Sequence, residues 1–240
     1  MSGHSKWAQI KRQKGVNDQK RGAVFTKLAK AITLAVQQGG GMADPEQNFR
    51  LRLAIDTARG SNMPKDNIER AIERAAGKQG TTLEEVVYEG FAPGGVSVIV
   101  EAATDNKNRT TGEVQNVFNK NGGNMGQMGS IAYQFTQMGQ LVINKNGKTT
   151  DEIFLDAADS GAEDIEEASD SEVFVYTQPN LLAKVRDSLL AKGYAVTEVE
   201  IIRKPNMPIA LDDETSEKTI AFLEKLEDLD DVQKVYSNLA

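Results

Sequence analysis

The chain has no cysteine and one histidine. Without cysteine there are no disulfides, no thiolate metal sites and no thiol nucleophiles. A catalytic triad or imidazole metal centre would have to rely on His4, near a chain terminus. Tryptophan also occurs once, at Trp7, and aromatic residues make up 6% of the chain. No apolar run approaches the roughly 18 residues that span a bilayer, and the basic N-terminus lacks the apolar core of a signal peptide. These absences leave a globular protein with a cytoplasmic location as the default. They weigh against hydrolase and zinc chemistry, while paired carboxylates stay open because Asp and Glu total 35.

Acid is missing from one region in particular. The first 15 residues carry Lys6, Lys11, Arg12 and Lys14 with no Asp or Glu, although the whole chain has a net charge of -7. Residues 1–78 hold 15 Lys and Arg against 7 Asp and Glu, a net of +8. Residues 79–240 hold 13 against 28, a net of −15. The overall acidity therefore conceals a basic module joined to an acidic body. Such asymmetry points to a polyanionic partner for the basic part. Within residues 1–30, eight cations face only Asp18: Lys6, Lys11, Arg12, Lys14, Lys20, Arg21, Lys27 and Lys30. Cations that neutralise phosphates release counterions and give salt-sensitive, sequence-independent affinity. Trp7 reads as an anchor onto the helical domain, with stacking on an unpaired base as the alternative.

Hydrophobic periodicity then predicts three helices. The first covers 18–38, with Phe25, Leu28, Ala29, Ile32 and Val36 on one face. The second starts at Asp44 as N-cap with Pro45 at the first helical position. The third follows Pro64. After residue 80 the pattern turns to β structure. "EEVVYEGF" and "GVSVIVEAAT" form a hairpin through Ala92-Pro93-Gly94-Gly95. A helix capped by Thr110 and a strand over "SIAYQFT" follow. Residues 140–205 read β-α-β-β-α-β, the split arrangement of ferredoxin-like domains. The last helix (about 213–226) and strand have no sheet of their own and complete the earlier β-β-α-β set. The expectation is an α+β protein with a three-helix domain over 1–79 and two ferredoxin-like mixed α/β domains, the first discontinuous over 80–138 and 206–240 and the second inserted over 139–205.

Three further stretches bear on function. "TDNKNRT" places Lys107 and Arg109 before a helix N-terminus, which suits a phosphate contact and equally an ordinary β-to-α loop. "NGGNMGQMGS" is glycine-rich, but the order helix, loop, strand and the lack of Lys favour a tight connection over a phosphate cradle. Residues 151–172 contain ten acids and no cation. Without calcium-loop spacing they read as a solvated face, with a docking surface for a basic protein as the alternative.

"GHSKW", "YEGFAPGG", "TDNKNRT", "GGNMGQMGSIAYQF", "GAEDI" and "DLDDVQKVYSN" occur in this order. Together they resemble the YebC family, which also contains the mitochondrial translational activator of cytochrome oxidase. No leader precedes "GHSKW", which fits a bacterial member. The resemblance implies a three-domain fold, no enzymatic activity, no cofactor and no metal. It implies a DNA-binding transcriptional regulator. The alternative is a factor bound to ribosomal RNA that relieves ribosome stalling at sequences such as proline runs. The expected partner is thus nucleic acid, with no membrane and no small-molecule substrate.

Overall fold

The computed structural model describes residues 21–77 and 82–240. Helix α1 (Arg21–Gln38), α2 (Phe49–Gly60) and α3 (Lys65–Ala76) form the first domain. Their inner faces carry the expected residues: Ile32, Val36, Leu51, Ile55, Ala58, Ile68 and Ala71 are buried together. Helix α2 begins later than the Asp44 start that the sequence predicts. Asp44 instead closes a turn, accepting from the Glu46 N–H (2.9 Å) through its side chain. Asn48 is the true cap. Its side-chain oxygen accepts from the Leu51 N–H (3.1 Å), while its amide donates to the carbonyls of Ala35 (2.8 Å) and Met42 (3.0 Å). One buried side chain thereby caps α2 and ties it to the end of α1, which fixes the start of the helix.

Two four-stranded antiparallel sheets follow. The first contains β1 (Glu84–Phe91), β2 (Ser97–Thr104), β3 (Asn124–Met125) and β8 (Val232–Ser237), in the order β3-β1-β2-β8. Helices α4 (Lys107–Lys120) and α7 (Asp213–Glu227) cover one face. Val114, Phe118, Phe222, Leu223 and Leu226 pack there against Val98, Val100 and Val235. The rings of Phe118 and Phe222 meet edge to face at 5.1 Å. The terminal helix and strand thus complete the middle sheet, as their lack of a sheet of their own predicts.

The second sheet contains β4 (Phe135–Asn144), β5 (Ala162–Glu167), β6 (Glu172–Thr177) and β7 (Ala195–Pro205), in the order β5-β6-β4-β7. Helices α5 (Thr150–Ala158) and α6 (Leu182–Ala191) supply Ile153, Ala157, Leu182, Val185 and Leu189 to its core. This is the β-α-β-β-α-β domain, inserted between β3 and α7.

Two local expectations are corrected. Helix α4 starts at Lys107, not near Thr110, because the Asn106 side chain caps it by accepting from the Arg109 N–H (3.1 Å). Thr110 is fully buried inside the helix. The predicted strand over "SIAYQFT" is a 3-10 turn (Ala132–Gln134) running into β4, which belongs to the inserted sheet. The edge strand of the middle sheet is instead Asn124–Met125, within the glycine-rich stretch.

That edge requires glycine opposite it. A Cβ on Gly90 would lie 2.4 Å from the Phe118 ring and 2.6 Å from the Asn124 carbonyl. Gly90→Ala should therefore destabilise the protein by about 2 kcal/mol, within the usual cost of overpacking. The guanidinium unfolding midpoint of the variant checks this, and an unchanged midpoint would contradict it.

Candidate nucleic-acid interface

The amphipathic turn of α1 that buries Phe25, Leu28 and Ile32 leaves Lys27 and Lys30 on a flank. Both are half-buried against the turn that joins α7 to β8. The Lys27 ammonium donates to the Glu227 carbonyl, one of the last-turn acceptors of α7 that lack a helical partner. The Lys30 ammonium donates to the Asp230 carbonyl (3.1 Å) and to the carboxylate of Asp231.

Asp231 is the centre of this cluster, with its side chain 3% exposed. Besides Lys30, it accepts from Arg109 (2.7 Å), Thr110 (2.6 Å) and Thr104 (3.1 Å). Its own carbonyl accepts from the Ala103 N–H (2.8 Å). Burial by itself would raise the carboxyl. Hydrogen bonds from Lys30, Thr110 and Arg109 outweigh it and hold Asp231 well below the usual carboxylate range. Arg109 also donates to Asp105 (2.9 Å), and hydrogen bonds to Asp231 and Asp105 raise its already high pKa further. A cation in the first turn of α4 opposes the helix dipole, and these two carboxylates compensate.

The predicted site residues therefore fall into three groups. Lys6, Lys11, Arg12, Lys14 and Lys20, with Trp7, lie outside the described residues. Arg21 opens α1, and Lys107 is exposed in the first turn of α4. Lys27, Lys30 and Arg109 converge on the α7–β8 turn and tie the helical domain to the middle one. The convergence of Lys30 and Arg109 on Asp231, more than 120 positions from Arg109, has no local signature. The only hint is that Asp231 falls in the "DLDDVQKVYSN" motif.

A second buried carboxylate organises the glycine-rich loop. Glu89, 3% exposed, accepts from the backbone N–H groups of Gly129 (2.8 Å), Ile131 (2.6 Å) and Ala132 (3.0 Å). The loop does make an anion cradle, and the chain's own side chain fills it. This is the tight connection that the order of elements favoured, and the reason residues 130–134 turn instead of extending.

Further ion pairs join the middle and inserted domains. Arg203 of β7 donates to Glu101 of β2 (2.7 Å), and Lys234 of β8 donates to Glu200 (2.8 Å). Burial, with Glu101 and Glu200 beside it, pushes the Tyr236 hydroxyl well above its ordinary value. Phe49 and Leu53 of α2 pack on the inserted domain. Among the described residues no His, Cys, Asp or Glu side chains group as a metal site requires. No described helix is long and apolar enough to cross a membrane.

A helical basic domain locked to two antiparallel α/β domains is the class of architecture defined here. The family model for the TACO1/YebC protein N-terminal domain matches residues 5–78, and that for the TACO1/YebC second and third domain matches residues 83–239. The chain belongs to this family. It is 51% identical to a probable transcriptional regulatory protein of Roseiflexus castenholzii, covering 100% of this chain and 95% of the relative. It is 48% identical to one from Dictyoglomus turgidum, over 99% and 95%. The crystal structure of a conserved hypothetical protein from Aquifex aeolicus superposes with a TM-score of 0.83 at 42% identity, covering 93% of this chain and 91% of that one.

Asp231→Asn should lower stability at neutral pH by about 3 kcal/mol, because Lys30 and Arg109 lose their buried counter-charge. Asp231 is depressed in the folded state, so its contribution is complete above the unfolded carboxylate pKa, about 3.9, and is lost as pH falls below it. The wild-type advantage over the Asn variant should thus be greatest near pH 7 and shrink in acid. Denaturant titrations of both proteins across pH check this. A gap that does not change with pH would rule out the assignment.

Proposed function

We propose that this protein is a non-enzymatic, DNA-binding transcriptional regulatory protein whose phosphate contacts come from the basic segment leading into α1. The carrying observation is the charge division, +8 over residues 1–78 against −15 over the rest. The relatives' names as probable transcriptional regulatory proteins agree with it. The internal use of Lys27, Lys30 and Arg109 sharpens the reading. It leaves Lys6, Lys11, Arg12, Lys14, Lys20 and Arg21 as the cations for phosphate, with Lys107 beside them in chemistry. The acidic body repels the same polyanion and restricts how it docks.

The test is duplex binding by the full chain, followed by fluorescence anisotropy over a range of salt. For each phosphate contact, log affinity should fall with log salt at a slope of about −0.9. Changing Lys11, Arg12 and Lys14 together to Glu should make the slope shallower by roughly 3 × 0.9 and weaken binding at all salt concentrations. Wild-type affinity that does not respond to salt would refute the proposal. Crosslinking in cells with sequencing of the bound nucleic acid then identifies the target. Promoter DNA is the expected product, and ribosomal RNA in its place would transfer the same interface to a translation factor.

A further inference from the structure

The three most exposed large apolar side chains among the described residues are Met128 and Met207, each 78% exposed, and Tyr133, 74% exposed. Hydrogen bonds join the backbone segments that carry them. The loop beside Met128 and the turn before Tyr133 are both held by Glu89. Asn206 donates its N–H to the Gln134 carbonyl (2.8 Å) and its side-chain amide to the Tyr133 carbonyl (3.1 Å). Asn238 donates to the Met207 carbonyl (3.3 Å). The result is one tip on pinned backbone. Isolated exposed apolar residues need no explanation, whereas a group of them held in place marks an interaction surface.

Charge identifies the kind of partner. Residues 121–144 and 205–211, the segments that carry the three side chains, contain no charged residue. These stretches belong to a body whose net charge is −15 over residues 79–240. The one carboxylate the tip holds, Glu89, is buried and answered by three N–H groups. Asn124, Gln127 and Asn206 add exposed amides, which can donate to and accept from base edges. A basic protein would be drawn to the acidic faces instead. A strand of nucleic acid, repelled by the acidic body, meets no charge on the segments that carry these side chains, and an exposed ring and thioethers offer a face to any base.

We infer that this tip is a stacking platform for unpaired nucleobases, with Tyr133 supplying the ring and Met128 and Met207 flanking it. The inference rests on the nucleic-acid reading above and adds a preference for single-stranded segments. Tyr133 is exposed, so its replacement leaves the fold intact.

The experiment uses the full chain with short fluorescein-labelled probes: a single strand of DNA, the same sequence as RNA, and the duplex. Tyr133→Ala should weaken binding of a single strand about tenfold, within the cost of losing one base–aromatic stack. Duplex affinity should be unchanged. The salt slope should also be unchanged, since stacking releases no counterions. Tyr133→Trp should restore binding. If Tyr133→Ala binds single strands like wild type while the Lys11, Arg12 and Lys14 variant loses affinity, the platform is refuted and nucleic-acid binding stands. An equal loss on the duplex, or a protein crosslinked through Tyr133 in place of nucleic acid, also overturns it. A wild-type chain that binds none of the probes overturns both readings together.

Discussion

A carboxylate buried as deeply as that of Asp231 must be met by donors, and the donors come from separate parts of the chain. Lys30 lies on α1, Thr104 at the end of β2, and Arg109 and Thr110 on α4. Removing any one leaves charge or polarity stranded at low dielectric, which costs more than the contact itself contributes. This ion, with the Lys27 bond beside it, therefore seats the helical domain on the middle domain. It also brings the α7–β8 turn back to β2, so that β8 can pair with a strand some 130 residues earlier. The discontinuity of the middle domain and the seat of α1 are two consequences of the same constraint.

This changes the meaning of the charge segregation. A count of +8 against −15 invites the view that every cation in the first 78 residues awaits phosphate. Lys27 and Lys30 are already matched to the acidic body, and Arg186 of α6 reaches back toward Asp56 of α2. Attraction between the two halves helps to assemble the molecule before any ligand is present. On the proposed function, the cations that meet a ligand are those with no acid near them in sequence, chiefly Lys6, Lys11, Arg12 and Lys14. Segregated charge thus serves cohesion within the chain as well as any recognition outside it.

Much of the fold was legible because its signals are local. The stripe Phe25, Leu28, Ile32 and Val36 needs only helical periodicity. The inserted domain is readable from the lengths and alternation of its strands, and the final helix and strand from their want of a sheet. The failures share one cause, a partner distant in sequence. Asp44 and Asn48 are both good caps by type, and the carbonyls of Ala35 and Met42 decide for Asn48. Thr110 has the capping spacing with Glu113, but Asp231 draws it inside the helix. Residues 130–136 have strand-forming character, and Glu89 binds three of the neighbouring N–H groups in a turn. The candidate site was legible in residue types and not in geometry, since nothing local announces that Arg109 and Lys30 share one acid.

The two buried carboxylates also divide the middle domain lengthwise. Glu89 pairs across the hairpin with Ile99, near the turn, whereas Thr104, which reaches Asp231, pairs with Glu84 at the far end of the same strands. At ~3.3 Å per residue, the five steps from Ile99 to Thr104 separate the two ends by about 17 Å. Side-chain cations answer the acid at one end and anchor the helical domain there. Backbone N–H groups answer the acid at the other end and shape the tip there.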